Sequence, residues 1–155
     1  KLAAKAAQAP SFSSVVTDGV TLLVNILDNA DNLTEQRILE TLKTQNPLMM
    51  RRVKELYFTF QDVPRLPAAV IKDALREMDA GALAIAIRDA DEPLQDAVLN
   101  AMTDKRRALL MDAMEQLEGR PPEVAQTEEA RRELVERIRE LIKQGRFSLK
   151  ALAED

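Results

Sequence analysis

The chain has 155 residues, of which 46% are apolar, 31% charged with a formal net charge of −4, and only 3% aromatic. That is enough apolar material for one compact domain or two small helical ones, while the interspersed charge and few aromatics disfavour a nucleic-acid surface. With no histidine and no cysteine, the chain has no imidazole base, no triad of the common kinds and no zinc site of ordinary ligand type.

Other inventories point the same way. The four glycines, at 19, 81, 119 and 145, are isolated, so there is no glycine-rich phosphate loop. The carboxylates stand at helix starts or alternate with Arg and Lys, where capping and ion pairing account for them. No apolar run approaches the ~20 residues that span a bilayer, and the N-terminus lacks the apolar core of a signal peptide. A cytoplasmic, all-α, non-enzymatic protein without cofactor or metal is expected.

Lys1 to Ala9 favours helix but has a weak apolar face, and Pro10 with the serines of SFSS at 11–14 interrupts it. Residues 1–18 therefore read as a linker or the end of a preceding helix. From Asp18, GVTLLVNILDNA brings Leu22, Val24, Ile26 and Leu27 close together and predicts a helix ending in a turn at Asn29 and Asn32. In the next segment Asn32 and Glu35 have capping-box spacing, and Ile38, Leu39 and Leu42 supply a buried stripe. Asn46 and Pro47 open a third helix, since proline is tolerated at the first helical position. Three short antiparallel helices make residues 19–60 an armadillo-like unit.

That third helix runs into Tyr57-Phe58-Thr59-Phe60, which holds three of the five aromatics of the chain. They are expected to plug the seam between helical layers. The turn-rich QDVPRLP at 61–67 follows directly, so Tyr57, Phe58, Phe60, Gln61, Asp62 and Val63 are read as a hinge.

After Pro67 a helix turns Val70, Ile71 and Leu75 inward, and Asp79 is positioned as the N-cap of the next. ALAIAI at 82–87 alternates like a strand, but its alanine content, flanking caps and lack of a partner strand predict a buried helix. Asp91 caps the following helix, with Pro93 in its first turn. Thr103 caps a charged helix in which Met102, Leu110, Ala113, Met114 and Leu117 share one face. On its other side Lys105 and Asp112, almost two full turns apart, project in nearly the same direction. GRPPE at 119–123 is a rigid connection to a long helix that buries Ala130, Leu134, Ile138, Leu141 and Ile142. Glu128 to Arg132 and Glu133 to Arg137 are favourable pairs four apart on it, and Gly145 stops it.

A series of short motifs in this order resembles the flagellar motor switch family FliG over its C-terminal half. The family's Met-Phe-x-Phe at a helix end is similar to Tyr57-Phe58-Thr59-Phe60, and its Leu-x-Glu-Val-Asp to Leu75-Arg76-Glu77-Met78-Asp79. Its Ala-Leu-Lys-Gly-Ala resembles Ala86-Ile87-Arg88-Asp89-Ala90, its Met-Ser-x-Arg resembles Met102-Thr103-Asp104-Lys105, and its Glu-Glu-Ala helix resembles Glu128-Glu129-Ala130 through Gly145. Order and spacing are kept from about Gly19 to Phe147.

The resemblance implies a rotor protein, with the armadillo-like unit at 19–60 and a six-helix torque domain at 61–155. In the family a cytoplasmic loop of the stator protein MotA, or its sodium-motor equivalent, meets charged residues of the torque domain. Carried over by position, those cations fall on Arg88 and Lys105. The first of an acidic pair falls on Asp112 and the second on Ala113, and by a shifted register the family's last cation falls on Arg120. The hinge after the aromatic motif reorients the torque domain when rotation switches. The implied partners are the stator, the switch protein FliM and neighbouring copies in the rotor ring, at the cytoplasmic face of the inner membrane in the basal body. The Glu-His-Pro-Gln motif that binds FliM in the family is absent, as is the N-terminal ring-binding domain, so the chain is expected to be a fragment or a paralogue with altered partners. The alternative is a FliG-like scaffold or the cytoplasmic sensor domain of a magnesium transporter, which should gather carboxylates into a cation-binding cluster.

Overall fold

The computed structural model describes residues 12–153, with side chains from Gly19 to Leu152. Among the described residues all regular structure is helical, and the chain divides into two compact units, the first ending at Tyr57 and the second beginning at Phe58.

The first unit consists of α1 (Phe12–Asn29), α2 (Asn32–Gln45) and α3 (Pro47–Lys54). Residues 1–18, read as a linker or the end of a preceding helix, are helical from Phe12 onward; their earlier part lies outside the described residues. The spacing of Val20, Leu23 and Leu27 makes one stripe along the helix. That stripe is the inward face of α1. Val20 and Leu27 are buried with Leu23 and Val24 against them, whereas Leu22 and Ile26, one position off the stripe, are 61% and 46% exposed.

Helix starts and stops in this unit are made by single polar residues. Asp31 rather than Asn32 caps α2, its Oδ1 accepting the Thr34 N–H at 2.7 Å. Glu35 is thereby free of capping and accepts the Tyr57 hydroxyl, which also lies 3.2 Å from the Leu27 carbonyl at the end of α1. Asn46 serves two helices, its N–H donating to Leu42 O of α2 and its side chain accepting the Met49 N–H of α3. Among the described residues the unit's fully buried core members are Val20, Leu27, Val53 and Tyr57, and α2 contributes none.

In the second unit a 3-10 turn (Phe60–Arg65) precedes α4 (Ala68–Leu75), α5 (Ala80–Ile87), α6 (Glu92–Asn100), α7 (Asp104–Glu118), α8 (Val124–Lys143) and α9 (Lys150–Ala153). The alternating ALAIAI segment is helix α5 and lies at the centre. Leu83, Ala84, Ala86 and Ile87 are wholly buried, and α7 and α8 both pack on it. Alanine at every second position keeps the helix thin enough for two neighbours to approach. Asp79 starts α5 by accepting the Gly81 and Ala82 N–H groups, and a Cβ on Gly81 would come 2.9 Å from that carboxylate. Thr103 caps α7 through Arg106 N–H, while Asp91 stands at the N-cap position of α6 without a side-chain bond to it.

The end of α8 is a Schellman turn. Gly145, at φ +78°, donates to Ile142 O, and Arg146 donates to Leu141 O at 3.0 Å. Of the two ion pairs expected on α8, Glu133 and Arg137 meet at 3.1 Å; Arg132 pairs with Glu129, three residues back, at 2.5 Å.

Candidate functional site

Helix α7 presents two very different sides. Leu110 is buried, and Ala113, Met114 and Leu117 pack beside it on the core. At about 100° per residue, the direction opposite Leu110 falls between Ala108 and Asp112. Lys105 and Asp112 are exposed there, roughly 10 Å apart along the axis. They are too far apart to pair with each other. Lys105 has no ion-pair partner among the described residues, and Asp112 accepts one bond, from Gln116 at 3.3 Å. Leu109 and Met111, each 55% exposed, flank this crest on either side. Ala113, aligned by resemblance with a second acid, packs against the core instead.

The other two predicted contact residues sit apart from the crest. Arg88 occupies the C-cap of α5, and its side chain is only 27% exposed and paired with Asp89 at 3.1 Å. It is thus less free than the sequence suggested. Arg120 is exposed just past α7, where its N–H donates to Leu117 O.

The predicted hinge residues divide between the two units. Tyr57 belongs to the first core, while Phe58 and Val63 are buried in the second. Phe60 is half-buried under the Arg131 guanidinium, 4.6 Å from its ring centre. Asp62 is buried, its Oδ2 accepting both the N–H and the hydroxyl of Thr59 at 3.0 and 2.9 Å. Gln61 is exposed. Segment 60–65 is therefore a built part of the second unit, and the boundary lies at 57–58, three residues before the expected 60–61.

Sequence reasoning missed a set of arginines turned toward backbone carbonyls. Arg106 donates to Leu75 O at 2.9 Å and Met78 O at 2.8 Å, around the end of α4. Arg107 donates to Leu99 O at 3.0 Å and Met102 O at 3.1 Å, at the end of α6. Arg131 reaches Ala86 O in the last turn of α5 at 2.9 Å, and Arg139 reaches Phe58 O at 2.9 Å. Helix ends leave carbonyls without intrahelical partners, and a charged fork is well suited to satisfy them. Burial lowers the pKa of Arg131, with Asp89 and Asp91 opposing that shift. A signal for Arg106 and Arg107 was present: three successive cations on one helix fan out by about 100° each, so they cannot all lie on the crest with Lys105.

Among the described residues no group of three or more acidic side chains is placed to hold a metal ion. No helix among them is long and apolar enough to cross a membrane.

Comparison with known proteins identifies the family. The FliG C-terminal domain family matches residues 40–149. The flagellar motor switch protein FliG of Borreliella burgdorferi is 31% identical over 137 residues, covering 88% of this chain and 39% of the relative. That of Thermotoga maritima is 30% identical over 135 residues, covering 87% and 39%. The structure of full-length FliG from Aquifex aeolicus superposes with a TM-score of 0.55 at 28% identity, over 92% of this chain and 42% of that one. The chain thus spans about two-fifths of the length of the curated relatives it matches. On the match of residues 40–149 and the collinear relatives, this chain belongs to the FliG C-terminal domain family.

Proposed function

We propose that this chain is a rotor component of a bacterial flagellar motor switch that receives force from a stator through charged residues of its second unit. The observation that carries this reading is the crest of α7. Lys105 and Asp112 are exposed, opposite in sign and, unlike Arg106 and Arg107, hold no other helix in place. Exposed charge pairs contribute about 0–1 kcal/mol each, so such contacts form and break readily while steering approach. A tight apolar contact would stall a rotor. The stator protein is MotA or its sodium-motor equivalent, and Arg88 and Arg120 extend the contact beyond the crest.

The first unit is assigned to assembly. Among the described residues the exposed large apolar side chains include Leu22, Ile26, Leu33, Leu48 and Leu56 in this unit, against Leu109, Met111 and Val124 in the longer second one. Apolar faces of stacked helical units are buried against neighbours, which supports packing against adjacent copies in the rotor ring, with FliM as a further partner at the cytoplasmic face of the membrane. The pivot between units is the Tyr57–Phe58 link, with residues 60–65 moving as part of the second unit.

The test is charge reversal. Lys105→Glu should leave helicity and melting temperature nearly unchanged and impair motility, and an opposite reversal in the stator loop should restore part of it. Unfolding of the variant, or full motility, would remove the support for a stator contact.

A further inference from the structure

We propose that Arg106 and Arg107 are positioning residues that anchor the force-receiving helix α7 to the ends of α4 and α6, an inference that rests on the stator-contact reading above. The two follow Lys105 directly in the sequence, yet their guanidinium groups leave the crest in other directions. Arg106 spans Leu75 O and Met78 O at 2.9 and 2.8 Å, with Arg76 O at 3.4 Å. Arg107 spans Leu99 O and Met102 O at 3.0 and 3.1 Å, and its remaining nitrogen pairs with Asp104 at 2.9 Å. One turn of α7 is thus tied to two separate helix ends.

Apolar packing alone would not do this. The main packing partner of α7 is α5, and burial of apolar surface is non-directional, so it resists separation of two helices better than sliding of one along the other. A push on Lys105 acts along the surface and favours such sliding. Charged, two-point hydrogen bonds have a fixed direction and length, and they connect α7 to α4 and α6, which α5 packing does not secure. Both ties lie within the first turn of α7, beside the cation that receives the load. Displacement of Lys105 therefore carries α4 and α6 with it, and force passes into the whole second unit.

The test uses the protein as a motile host makes it, with Arg106→Lys and Arg107→Lys together and Arg107→Lys alone. Lysine keeps the charge but replaces a planar fork by a single point. Rotor assembly and the number of engaged stators are counted by fluorescence, and torque at stall and speed near zero load are measured on single motors. The expected result is normal assembly and near-normal unloaded speed, with stall torque per stator lowered about two-fold or more, because one attachment point replaces two at each site. Arg132→Lys, an exposed arginine paired within its own helix, should leave stall torque unchanged. A merely structural role would reduce the number of assembled motors and leave torque per stator intact, and that outcome overturns the proposal. Where the double variant does not accumulate, the single variant decides on the same readout. Lys105→Glu, run in parallel, separates the two ideas: lowered torque there beside unaltered torque in the arginine variants defeats the anchoring role alone, whereas unaltered torque in Lys105→Glu defeats the contact reading.

Discussion

Asp31 and Gly145 show how single residues end or begin helices here, and each gives a measurable consequence. The Asp31 carboxyl is held below its ordinary pKa by hydrogen bonding to the side chain and N–H of Thr34, with desolvation opposing and Arg37 adding the smallest contribution, an attraction. A folded-state pKa below the unfolded one contributes stability above the unfolded pKa, and the contribution is lost as pH falls through the folded value. Asparagine accepts the same N–H without titrating. Asp31→Asn should therefore reduce the acid sensitivity of the first unit's melting, as followed by circular dichroism between neutral and strongly acid pH; an unchanged acid profile would show that the cap does not contribute. At the other end of the chain Gly145 sits at φ +78°, where a Cβ crowds the backbone. Gly145→Ala should lower stability by about 1–2 kcal/mol, readable as a lower denaturant midpoint. Gly145 and Asp79 were legible as punctuation. Asp31 was not, because Asp31 and Asn32 are adjacent residues of equal capping ability, and only the backbone decides which one caps.

At the scale of the element, pattern and packing carried different amounts of information. Helix α5 was legible as buried because nothing on it is polar between Ala80 and Ile87. The inward face of α1 was not, since it is apolar on more than one side, and burial chose Val20, Leu23 and Leu27 over Leu22 and Ile26. Segment 60–65 differs in kind. Its Asp, Pro and Arg read as a flexible turn, yet the 3-10 turn packs on α6 and α8 with Val63 in the core. Turn-forming residues specify a change of direction and say nothing of mobility. Val63→Ala should consequently lower the stability of the second unit by about 1–3 kcal/mol, whereas a true hinge would tolerate it. A melting temperature equal to that of the unsubstituted protein would favour a hinge at this segment.

For the whole molecule, the aromatic motif that read as one plug is divided between two cores, Tyr57 in the first and Phe58 in the second. Adjacent residues in a strongly bent or extended link place their side chains in different directions, so a run of aromatics can secure both ends of a joint. In the proposed reading the pivot lies at this link rather than in the turn that follows. A glycine inserted between Tyr57 and Phe58 adds backbone freedom without displacing either ring from its own core. The same insertion between Val63 and Pro64 shifts Val63 relative to Leu66 within one core. The first variant should keep the melting temperature of the second unit and change the bias of motor switching. The second should lower that temperature, because buried groups are close-packed and a displaced side chain leaves a void. Calorimetry on the two purified variants, with tethered-cell recordings of switching, checks both halves. Equal switching bias in the first variant and the unsubstituted protein would place the pivot elsewhere, since the joint would then have gained freedom without effect.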